Sequence, residues 1–342
     1  MKTKHIIITI LALCASVLFV YAFNWLRDNK LPDFVERTDL YVYPDTRVSD
    51  IIDTLAANAG VRWPGRLPLV FEKHEVASLC KPGHYVVEPG NTAVYVARML
   101  NNGWQTPVNL VLSGTLRRRD DIARKISVQM MVDSATVRKA MDDADLLREF
   151  GFTPENIFAM FVPDTYEMYW TASVRDIFAK QNDAYRAFWT EENKAKASKL
   201  GLTQMEVSVL ASIVSGETRY VPEMPKIAGV YLNRLNRGMK LQADPTIAFC
   251  YDYKVNRILR RMLSYDSPYN TYLYAGLPPA PIYVPDRNTL NAVLNPDYGG
   301  GNLYFCADPS FNGSHRFART FSEHINNARA FQRALNNRNR KK

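Results

Sequence analysis

The residue best suited to chemistry in this chain is a single glutamate, Glu217, at the end of a predicted helix. Thr203 and Glu206 form the S/T-x-x-E pattern that caps a helix N-terminus. Apolar residues then recur at three- and four-residue spacing from Leu210 to Val214, and Glu217 falls next on the same stripe. The sequence therefore predicts an amphipathic helix that carries a carboxyl group on its core-facing side.

The predicted surroundings of Glu217 favour the protonated form of its carboxyl group. Burial removes hydration from an ionised carboxylate, and the negative end of the helix dipole also opposes ionisation, so both raise the pKa. A glutamate that stays protonated near neutral pH can act as a general acid. Gly216 weakens the helix just before Glu217, which places Glu217 in the last turn. The competing interpretation is a helix-end glutamate paired to Arg219 or Arg234.

The stretches on both sides of Glu217 carry several recognisable motifs. They are ASIV…ET at the helix end, PKIAGVYLNRL, MKLQADPT, YNTY, GLPPAPI, an upstream PDTY and LYFCAD near the C-terminus. In this order they resemble the YceG/MltG family of endolytic murein transglycosylases over about 150 residues. Two positions depart from the family pattern: Ser215 stands where many members have a second glutamate, and Phe158 to Met160 replace a glutamate-glycine lead into PDTY.

The resemblance implies a reaction that needs one carboxyl group. A glycosidase ordinarily uses two carboxylates. A lytic transglycosylase instead uses the C6 hydroxyl of the N-acetylmuramic acid residue as its nucleophile, so one carboxyl can first give a proton and later take one. The expected products end in 1,6-anhydro-N-acetylmuramic acid, and Glu217 is the expected acid.

A second carboxylate would change this interpretation. Asp244 lies 27 residues after Glu217 in LQADPT, where an aspartate before proline is commonly a turn or cap. If it lines the cleft, it can orient the sugar or stabilise positive charge in the transition state. With Asp244 or Glu223 as a true partner, the protein would be a lysozyme-like hydrolase.

Other polar side chains suit a sugar ligand. Gln242, Asn270 and Tyr272 offer amide and hydroxyl groups for N-acetyl and hydroxyl groups, and Tyr269 or Tyr274 offers a stacking face. A purely structural role stays open for each of them. The five histidines form no metal-binding pattern, so neither a metal nor another cofactor is expected.

The N-terminus predicts a membrane anchor. The 21 residues from Ile6 to Leu26 carry no charge, which is long enough to span a bilayer. A cleaved signal peptide is the alternative, but no small-x-small site follows, and Cys14 is not in a lipobox. Basic residues on the two sides are nearly balanced, so only the resemblance assigns an inner-membrane, single-pass protein with its catalytic part in the periplasm.

The net charge and the cysteine content limit which other functional classes fit the sequence. The net charge is +9, and basic residues cluster at Arg117 to Arg119 and in the C-terminal tail. The anchor and the missing nucleic-acid module argue against a nucleic-acid binder, whereas a basic surface suits anionic lipid and a glycan with carboxylated peptides. Cys80, Cys250 and Cys306 allow at most one disulfide, and buried thiols are favoured.

The chain organisation indicates an α+β protein. A strand, a turn and a helix recur at 40–60 and 84–103, with a possible third copy at 108–126. In the family that the sequence resembles, this region is described as LysM-like. Such modules bind N-acetylglucosamine chains, although a positioning role is equally open. A mixed α+β catalytic domain should follow. The expected segments are a cytoplasmic tail (1–5), the anchor (6–26), a linker (27–36), the module (37–113), a helical connection (114–202), the catalytic domain (203–337) and a basic tail (338–342).

These observations together predict an endolytic lytic transglycosylase that cuts nascent peptidoglycan strands, and so a terminator of their elongation. Its expected partners are glycan strands, the membrane and, through the resemblance, cell-wall synthases. The alternative from another class is a glycan-binding scaffold without activity. Retention of Glu217 argues against the scaffold.

Overall fold

The computed structural model describes residues 2–340 and combines helices with small two-stranded sheets, which confirms the expected mixture of the two. The chain divides into two compact units. The first comprises the chain up to Leu110 together with Gln129–Met131 and Glu167–Ala172. The second comprises Val111–Val128, Val132–Tyr166 and the chain from Ser173 onward. Residue 1 of the predicted tail and residues 341 and 342 of the basic tail lie outside the described residues.

The N-terminal helix α1 (Lys2–Lys30) contains the predicted anchor segment. Its apolar side chains are exposed, from Ile6 at 58% to Leu26 at 44%. By length and composition the helix can cross a membrane. The uncharged stretch therefore forms a continuous helix, as predicted.

The first unit is built on two antiparallel strands that are connected by helices. Strands β1 and β2 are antiparallel, with Leu40 opposite Tyr85. Both side chains are buried, and they pack with Leu55 and Leu100 from the helices that follow each strand. The elements are β1 (Thr38–Val42), α2 (Val48–Asn58), α3 (Leu67–Lys73), α4 (Val76–Leu79), β2 (Gly83–Val87) and α5 (Ala93–Asn102).

The two predicted strand-turn-helix repeats therefore form, β1 with α2 and β2 with α5. The possible third copy does not extend their sheet. Its strand β3 (Val108–Leu112) pairs with β4 (Asp164–Met168), a strand that carries part of the PDTY motif and was not predicted.

The second unit is mainly helical. Its helices and strands are α6 (Arg119–Ser127), α7 (Ser134–Ala140), α8 (Ala144–Glu149), α9 (Val174–Phe188), α10 (Glu191–Lys199), α11 (Gln204–Glu217), α12 (Met224–Asn236), α13 (Asp244–Cys250), α14 (Arg287–Leu294), β5 (Tyr304–Ala307), β6 (His315–Ala318) and α15 (Phe321–Arg340). The predicted helices at 203–217 and 225–238 are confirmed with small shifts in their bounds. Helices α13 and α14 and strands β5 and β6 lie in a stretch expected to be irregular.

Helix α11 lies in the core of this unit. Its predicted capping box forms, because Thr203 Oγ1 accepts from the Glu206 backbone N–H at 3.2 Å while the Glu206 carboxylate accepts from the Thr203 N–H at 2.8 Å. Every residue from Val207 to Val214 is buried, and the helix packs against α12, α13 and α14. The helix forms, but the prediction that it is amphipathic is therefore wrong. The unpredicted helix α14 lies along α11 and contributes to its burial.

A glycine sets how closely the end of α11 approaches the start of α13. A Cβ atom on Gly216 would lie 2.5 Å from Pro245 Cβ and 2.8 Å from Pro245 Cγ. Real Cβ atoms do not come this close to a carbon atom, so only glycine allows this contact without a shift of either helix. Gly216 thus has a packing role beyond its low helix propensity.

The substitution Gly216→Ala should lower the thermal stability of the protein. Overpacking against Pro245 should cost about 1–3 kcal/mol, which exceeds the gain of about 1 kcal/mol in helix propensity. Thermal unfolding of the detergent-solubilised full chain measures the effect. Gly65→Ala is the matched control, because a Cβ atom there meets nothing within 4 Å. An unchanged or raised melting temperature for Gly216→Ala would contradict the packing argument.

Candidate active site

Glu217 is the last residue of α11, and Thr218 after it is extended, with φ −147° and ψ 149°. The carboxyl group is therefore at the negative end of the helix dipole, as predicted. Glu217 is only partly exposed to solvent. Tyr231, on α12, donates its hydroxyl hydrogen to Glu217 Oε1 at 2.5 Å.

The surroundings of Glu217 raise the pKa of its carboxyl group to about 7. Desolvation by burial is the largest cause, and the negative charge of Asp244 adds to it. The hydrogen bond from Tyr231 and the positive charge of Arg234 act in the opposite direction, because both stabilise the carboxylate. At neutral pH the group is consequently divided between its two protonation states and can both give and take a proton.

Two of the sequence motifs are joined by buried hydrogen bonds. Thr271, in YNTY, accepts from the Ala243 N–H at 3.0 Å, and its carbonyl accepts from the Gln242 N–H at 3.1 Å. The hydroxyl groups of Thr246 and Thr271 are 2.9 Å apart, and both residues are buried. Side chains that are distant in sequence are thereby held at one place beside Glu217.

Three of the predicted substrate-binding residues meet at this place. Tyr272 donates its hydroxyl hydrogen to Asp244 Oδ1 at 2.6 Å. Asp244 is the first residue of α13, which agrees with the helix-cap alternative. It is also exposed and lines the same cavity as Glu217. Gln242 is also exposed, and its backbone adopts a left-handed conformation with φ 54°. Such a conformation is unfavourable for a non-glycine residue and is often kept at functional sites.

A buried arginine supports the floor of the site. The side chain of Arg234 is 8% exposed, and its guanidinium donates to the carbonyl oxygens of Leu303 and Leu241, each at 2.7 Å. A further contact of 3.4 Å joins Nη1 to Gln242 Oε1. Burial lowers the pKa of Arg234. The arginine thus ties PKIAGVYLNRL to MKLQADPT and LYFCAD with few of its donors left for a ligand.

Glu217 lies between two concave regions of the second unit. One has a volume of about 300 Å³ and is lined by Glu217, Tyr231, Arg234, Leu241, Gln242, Asp244, Tyr272, Phe305 and His324. The other has a volume of about 640 Å³, and its lining includes Glu217, Arg219, Asp308, Ser314, His315 and Arg338. The carboxyl-bearing residue therefore contributes to the walls of both regions.

Three other residues that were predicted to contact the sugar do not line the cavities around Glu217. Asn270 is fully buried, and its amide bonds the carbonyls of Leu263 and Tyr265 and the N–H of Tyr272, so it shapes the loop and does not face the cleft. Tyr269 lines a different cavity. Tyr274 is exposed and donates to Asp266 at 2.6 Å. The prediction of a ligand contact therefore fails for Asn270, because its hydrogen-bonding groups are already used.

The competing pairings of Glu217 do not form among residues 2–340. Arg219 donates to Thr115 Oγ1 at 2.9 Å, and Arg234 bonds carbonyl oxygens. Glu223 is occupied as well, because both of its carboxylate oxygens accept from the His315 backbone N–H and one lies 2.9 Å from His315 Nδ1. Ser215 donates to Thr289 Oγ1 at 3.1 Å.

Sequence reasoning missed two side chains of this site. Tyr231 occupies an apolar position of a helix pattern and reads as a core residue, although it lies in the PKIAGVYLNRL motif. His324 lies on α15, and its buried Nδ1 has no hydrogen-bond partner in the described part of the chain. Burial and the charge of Arg234 lower the pKa of His324, which favours its neutral form. In the same part of the chain, no cluster of His, Cys, Asp and Glu is arranged to hold a metal ion.

Known proteins resemble this chain in sequence and in fold. It is 35% identical over 145 residues to the endolytic murein transglycosylase of Bacillus subtilis, which is 42% of this chain and 38% of that protein. It is 32% identical over 136 residues to the protein of the same name in Streptococcus pneumoniae, which is 36% of this chain and 24% of that protein. The matched regions thus cover well under half of either relative.

A crystal structure of a YceG-like protein from Listeria monocytogenes has the same fold. The TM-score is 0.56 at 24% identity, over 85% of this chain and 98% of that one. Residues 40–330 match the profile of the YceG-like family. Because this match spans both compact units and every motif around Glu217, the chain belongs to the YceG-like family.

Proposed function

We propose that this protein is an endolytic peptidoglycan lytic transglycosylase with Glu217 as its only acid and base. The observation that carries the proposal is the carboxyl group of Glu217, whose pKa is raised to about 7 at the junction of two cavities. The related proteins named endolytic murein transglycosylases support the same activity. The substrate is a glycan strand of alternating N-acetylglucosamine and N-acetylmuramic acid.

In the first half of the reaction Glu217 gives its proton to the glycosidic oxygen between N-acetylmuramic acid C1 and N-acetylglucosamine. The C1–oxygen bond breaks and the bonding electrons leave with that oxygen. Positive charge develops at C1, and the carboxylate of Asp244 is suited to stabilise it. Tyr272 holds Asp244 by the 2.6 Å hydrogen bond, which fixes the direction of the negative charge.

In the second half the C6 hydroxyl of the same sugar attacks C1. Its proton returns to the Glu217 carboxylate, and a 1,6-anhydro ring closes without the consumption of water. The hydrogen bond from Tyr231 stabilises the carboxylate between the two halves. Because the nucleophile belongs to the substrate, no second catalytic carboxylate is required.

The two cavities support cleavage inside a strand. Glu217 contributes to the lining of both, so sugars can occupy sites on either side of the bond that breaks. An enzyme acting only at strand ends needs a cleft that is closed on one side. Cuts within nascent strands would end their elongation.

The two alternatives have weaker support. A lysozyme-like hydrolase needs a second carboxylate that acts as base or nucleophile. Both oxygens of Glu223 are bonded to His315, which leaves Asp244, bonded to Tyr272 through one oxygen, as the remaining one of the two predicted partners. The mass of the products decides between this reaction and the proposed one. A scaffold without activity gives no reason for a carboxyl group held desolvated next to a tyrosine hydroxyl. Polar groups with unfavourable burial are retained where they serve a reaction.

We further propose that α1 anchors the protein in the inner membrane with the rest of the chain in the periplasm, because peptidoglycan lies there. Cell-wall synthases at the membrane surface would then be partners, a proposal that depends on the family resemblance alone. Terminal sequencing that finds a mature N-terminus downstream of residue 20 would overturn the anchor, and absence of synthases after mild solubilisation and co-purification would count against the partners.

We also propose that residues 37–113 act as a LysM-like glycan-binding module. The support is the order strand, helices, strand with β1 and β2 antiparallel, which suits a small binding module. Tyr41 and Tyr43 are exposed on and beside β1. Tyr41 stacks on His84 and both rings contact Trp170, so the exposed parts of the two tyrosines belong to an aromatic cluster that suits a sugar ring. If a Tyr41→Ala/Tyr43→Ala variant pulls down with insoluble peptidoglycan as well as the unchanged protein does, this role is wrong.

Replacement of the acid should abolish most of the activity. Glu217→Gln keeps the size of the side chain but cannot transfer the proton, so turnover should fall by about 10²–10⁴-fold. Asp244→Asn should cost less, because Asp244 transfers no proton. Purified glycan strands are incubated with each variant, and the products are identified by mass.

The same helix provides the matched control for this experiment. Glu206→Gln makes an identical change at the other end of α11, and glutamine still completes the capping box, so activity should be retained. Near wild-type activity of Glu217→Gln would reject the acid. Wild-type products with reducing ends, which are one water heavier than anhydro ends, would reject the transglycosylase reaction.

The pH dependence should follow the pKa of Glu217. A general acid must be protonated, so activity should decline as pH rises through about 7. Tyr231→Phe removes a hydrogen bond that stabilises the carboxylate, so it should raise this pKa and move the decline to higher pH. Tyr85→Phe, which removes another buried hydroxyl in the first unit, should leave the profile unchanged. A shift of the Tyr231→Phe profile to lower pH would contradict this assignment.

A further inference from the structure

Another cavity of the second unit, separate from the two that Glu217 lines, has no role in the proposed reaction. Its volume is about 540 Å³, and Glu217 is not among its lining residues. Arg117, Arg118, Arg119 and Arg138 line it together with aromatic side chains that include Tyr253 and Tyr269. It contains the basic residues that cluster at Arg117 to Arg119 in the sequence.

One arginine of this cavity differs from the others in its partners. Arg118 pairs with Asp121 at 3.2 Å, Arg119 with Asp142 at 2.9 Å and Arg138 with Asp120 at 3.1 Å. Arg117 has no carboxylate within 4.0 Å among residues 2–340. Its guanidinium lies instead over two aromatic rings, and its Nε approaches the Tyr283 hydroxyl at 3.4 Å.

The aromatic rings hold the Arg117 guanidinium in a fixed position. Its central carbon lies 5.3 Å from the ring centre of Tyr253 and 5.5 Å from that of Tyr283. Asp252 and Tyr253 are both in the left-handed region, with φ 52° and 55°. Two consecutive non-glycine residues in this region are unfavourable. The Tyr253 hydroxyl donates to the Ile282 carbonyl, which keeps the ring in place.

The charges around Arg117 indicate the kind of ligand. A partly buried guanidinium with free donors on its planar edge is suited to a carboxylate or a phosphate. Glu155 and Asp252 also line the cavity and are exposed. Glu155 accepts from the Tyr269 hydroxyl at 3.2 Å and Asp252 pairs with Lys254 at 2.8 Å, each through one oxygen, so the second oxygen of each can accept from an ammonium group. The lining therefore suits a small ligand that carries both signs of charge, as an amino-acid side chain with carboxylate and amine groups does.

Covalent and hydrogen-bonded links connect this cavity to the cleft. Arg117 follows Thr115 by two residues, and Thr115 accepts from Arg219, which itself follows Glu217 by two residues. The Leu116 carbonyl accepts from the Val284 N–H at 3.2 Å and fixes the segment between them. Arg219 lines the 640 Å³ cavity together with Glu217, so the segment 115–117 contacts the wall of that cavity through Thr115 and lines the other cavity through Arg117.

We propose that the Arg117 cavity binds the peptide that branches from N-acetylmuramic acid, with Arg117 on a peptide carboxylate and the acidic residues on a peptide ammonium group. This proposal depends on the proposed function and names the part of the substrate that the catalytic cleft does not hold. It makes the stem peptide a determinant of specificity at a distance from the bond that is cut.

The test is direct binding of a free stem peptide to the detergent-solubilised full chain. Titration calorimetry with synthetic L-alanyl-γ-D-glutamyl-meso-diaminopimelate should show saturable binding. Arg117→Gln should weaken it by about tenfold or more, because a charge-assisted bidentate pair is lost. Arg117→Lys should recover only part of the affinity, because lysine keeps the charge but not the planar fork.

Two controls make the result decisive. Arg257→Gln removes one exposed positive charge that does not line this cavity and should bind as the unchanged protein does. The same peptide with its carboxylates converted to amides should not bind. No binding by the unchanged protein, equal binding of the amidated peptide, or equal affinity of Arg117→Gln would each overturn the proposal.

A cleavage assay separates this proposal from the proposed function. On peptide-bearing strands Arg117→Gln should lose about tenfold in kcat/KM relative to the unchanged protein. On strands stripped of peptides by an amidase the two proteins should be equal, which also reports that the variant is folded. An equal loss on both substrates would overturn the peptide site. Failure of the unchanged protein to cut any strand would reject the transglycosylase and leave the calorimetric result to decide the peptide site.

Discussion

The chemistry of this site depends on the desolvation of one carboxyl group. Glu217 lies at the end of a helix whose residues from Val207 to Val214 are all buried, and the loss of water raises its pKa to about 7. The hydroxyl of Tyr231 limits the rise by bonding the carboxylate at 2.5 Å. Stronger burial would leave a group that gives up no proton at neutral pH, whereas weaker burial would leave an ordinary surface glutamate. The balance between these two contributions is what makes a single residue able to act as acid and then as base.

The packing of neighbouring helices maintains that balance. Gly216 allows α11 to meet Pro245 at the start of α13, and this contact brings Asp244 close enough for its charge to raise the pKa of Glu217. Arg234 supplies a positive charge that acts in the opposite direction on this pKa, and its guanidinium is bound to backbone carbonyls. Because the arginine is held by the backbone, it does not form an ion pair with Glu217. A direct ion pair would stabilise the carboxylate and lower the pKa further.

The hydrogen bonds of the loops explain why long irregular segments can form a defined site. Thr271 and Thr246 join YNTY to ADPT, and Ser212 on α11 accepts from the Ile282 N–H at 3.0 Å in GLPPAPI. These side chains are buried, so their bonds are not exchanged with water. The loops are thus fixed to the same helix that carries the acid. The proposed peptide site uses the other face of this arrangement, since Tyr253 bonds the carbonyl of the same Ile282.

The sequence by itself determined the features that depend on neighbouring residues along the chain. The capping box of Thr203, the position of Glu217 at a helix end and the uncharged anchor segment all follow from local spacing and are present in the structure. Local pattern could not reveal that Val207 to Val214 of α11 are all buried, because this burial comes from α12, α13 and α14, which pack against α11 only in the folded chain. It also could not distinguish Asn270, whose amide is used within its own loop, from Gln242, whose amide is exposed. The contacts of Tyr231, Arg234 and His324 with the site join residues up to about a hundred positions apart, and only the tertiary structure decides which of these distant side chains meet.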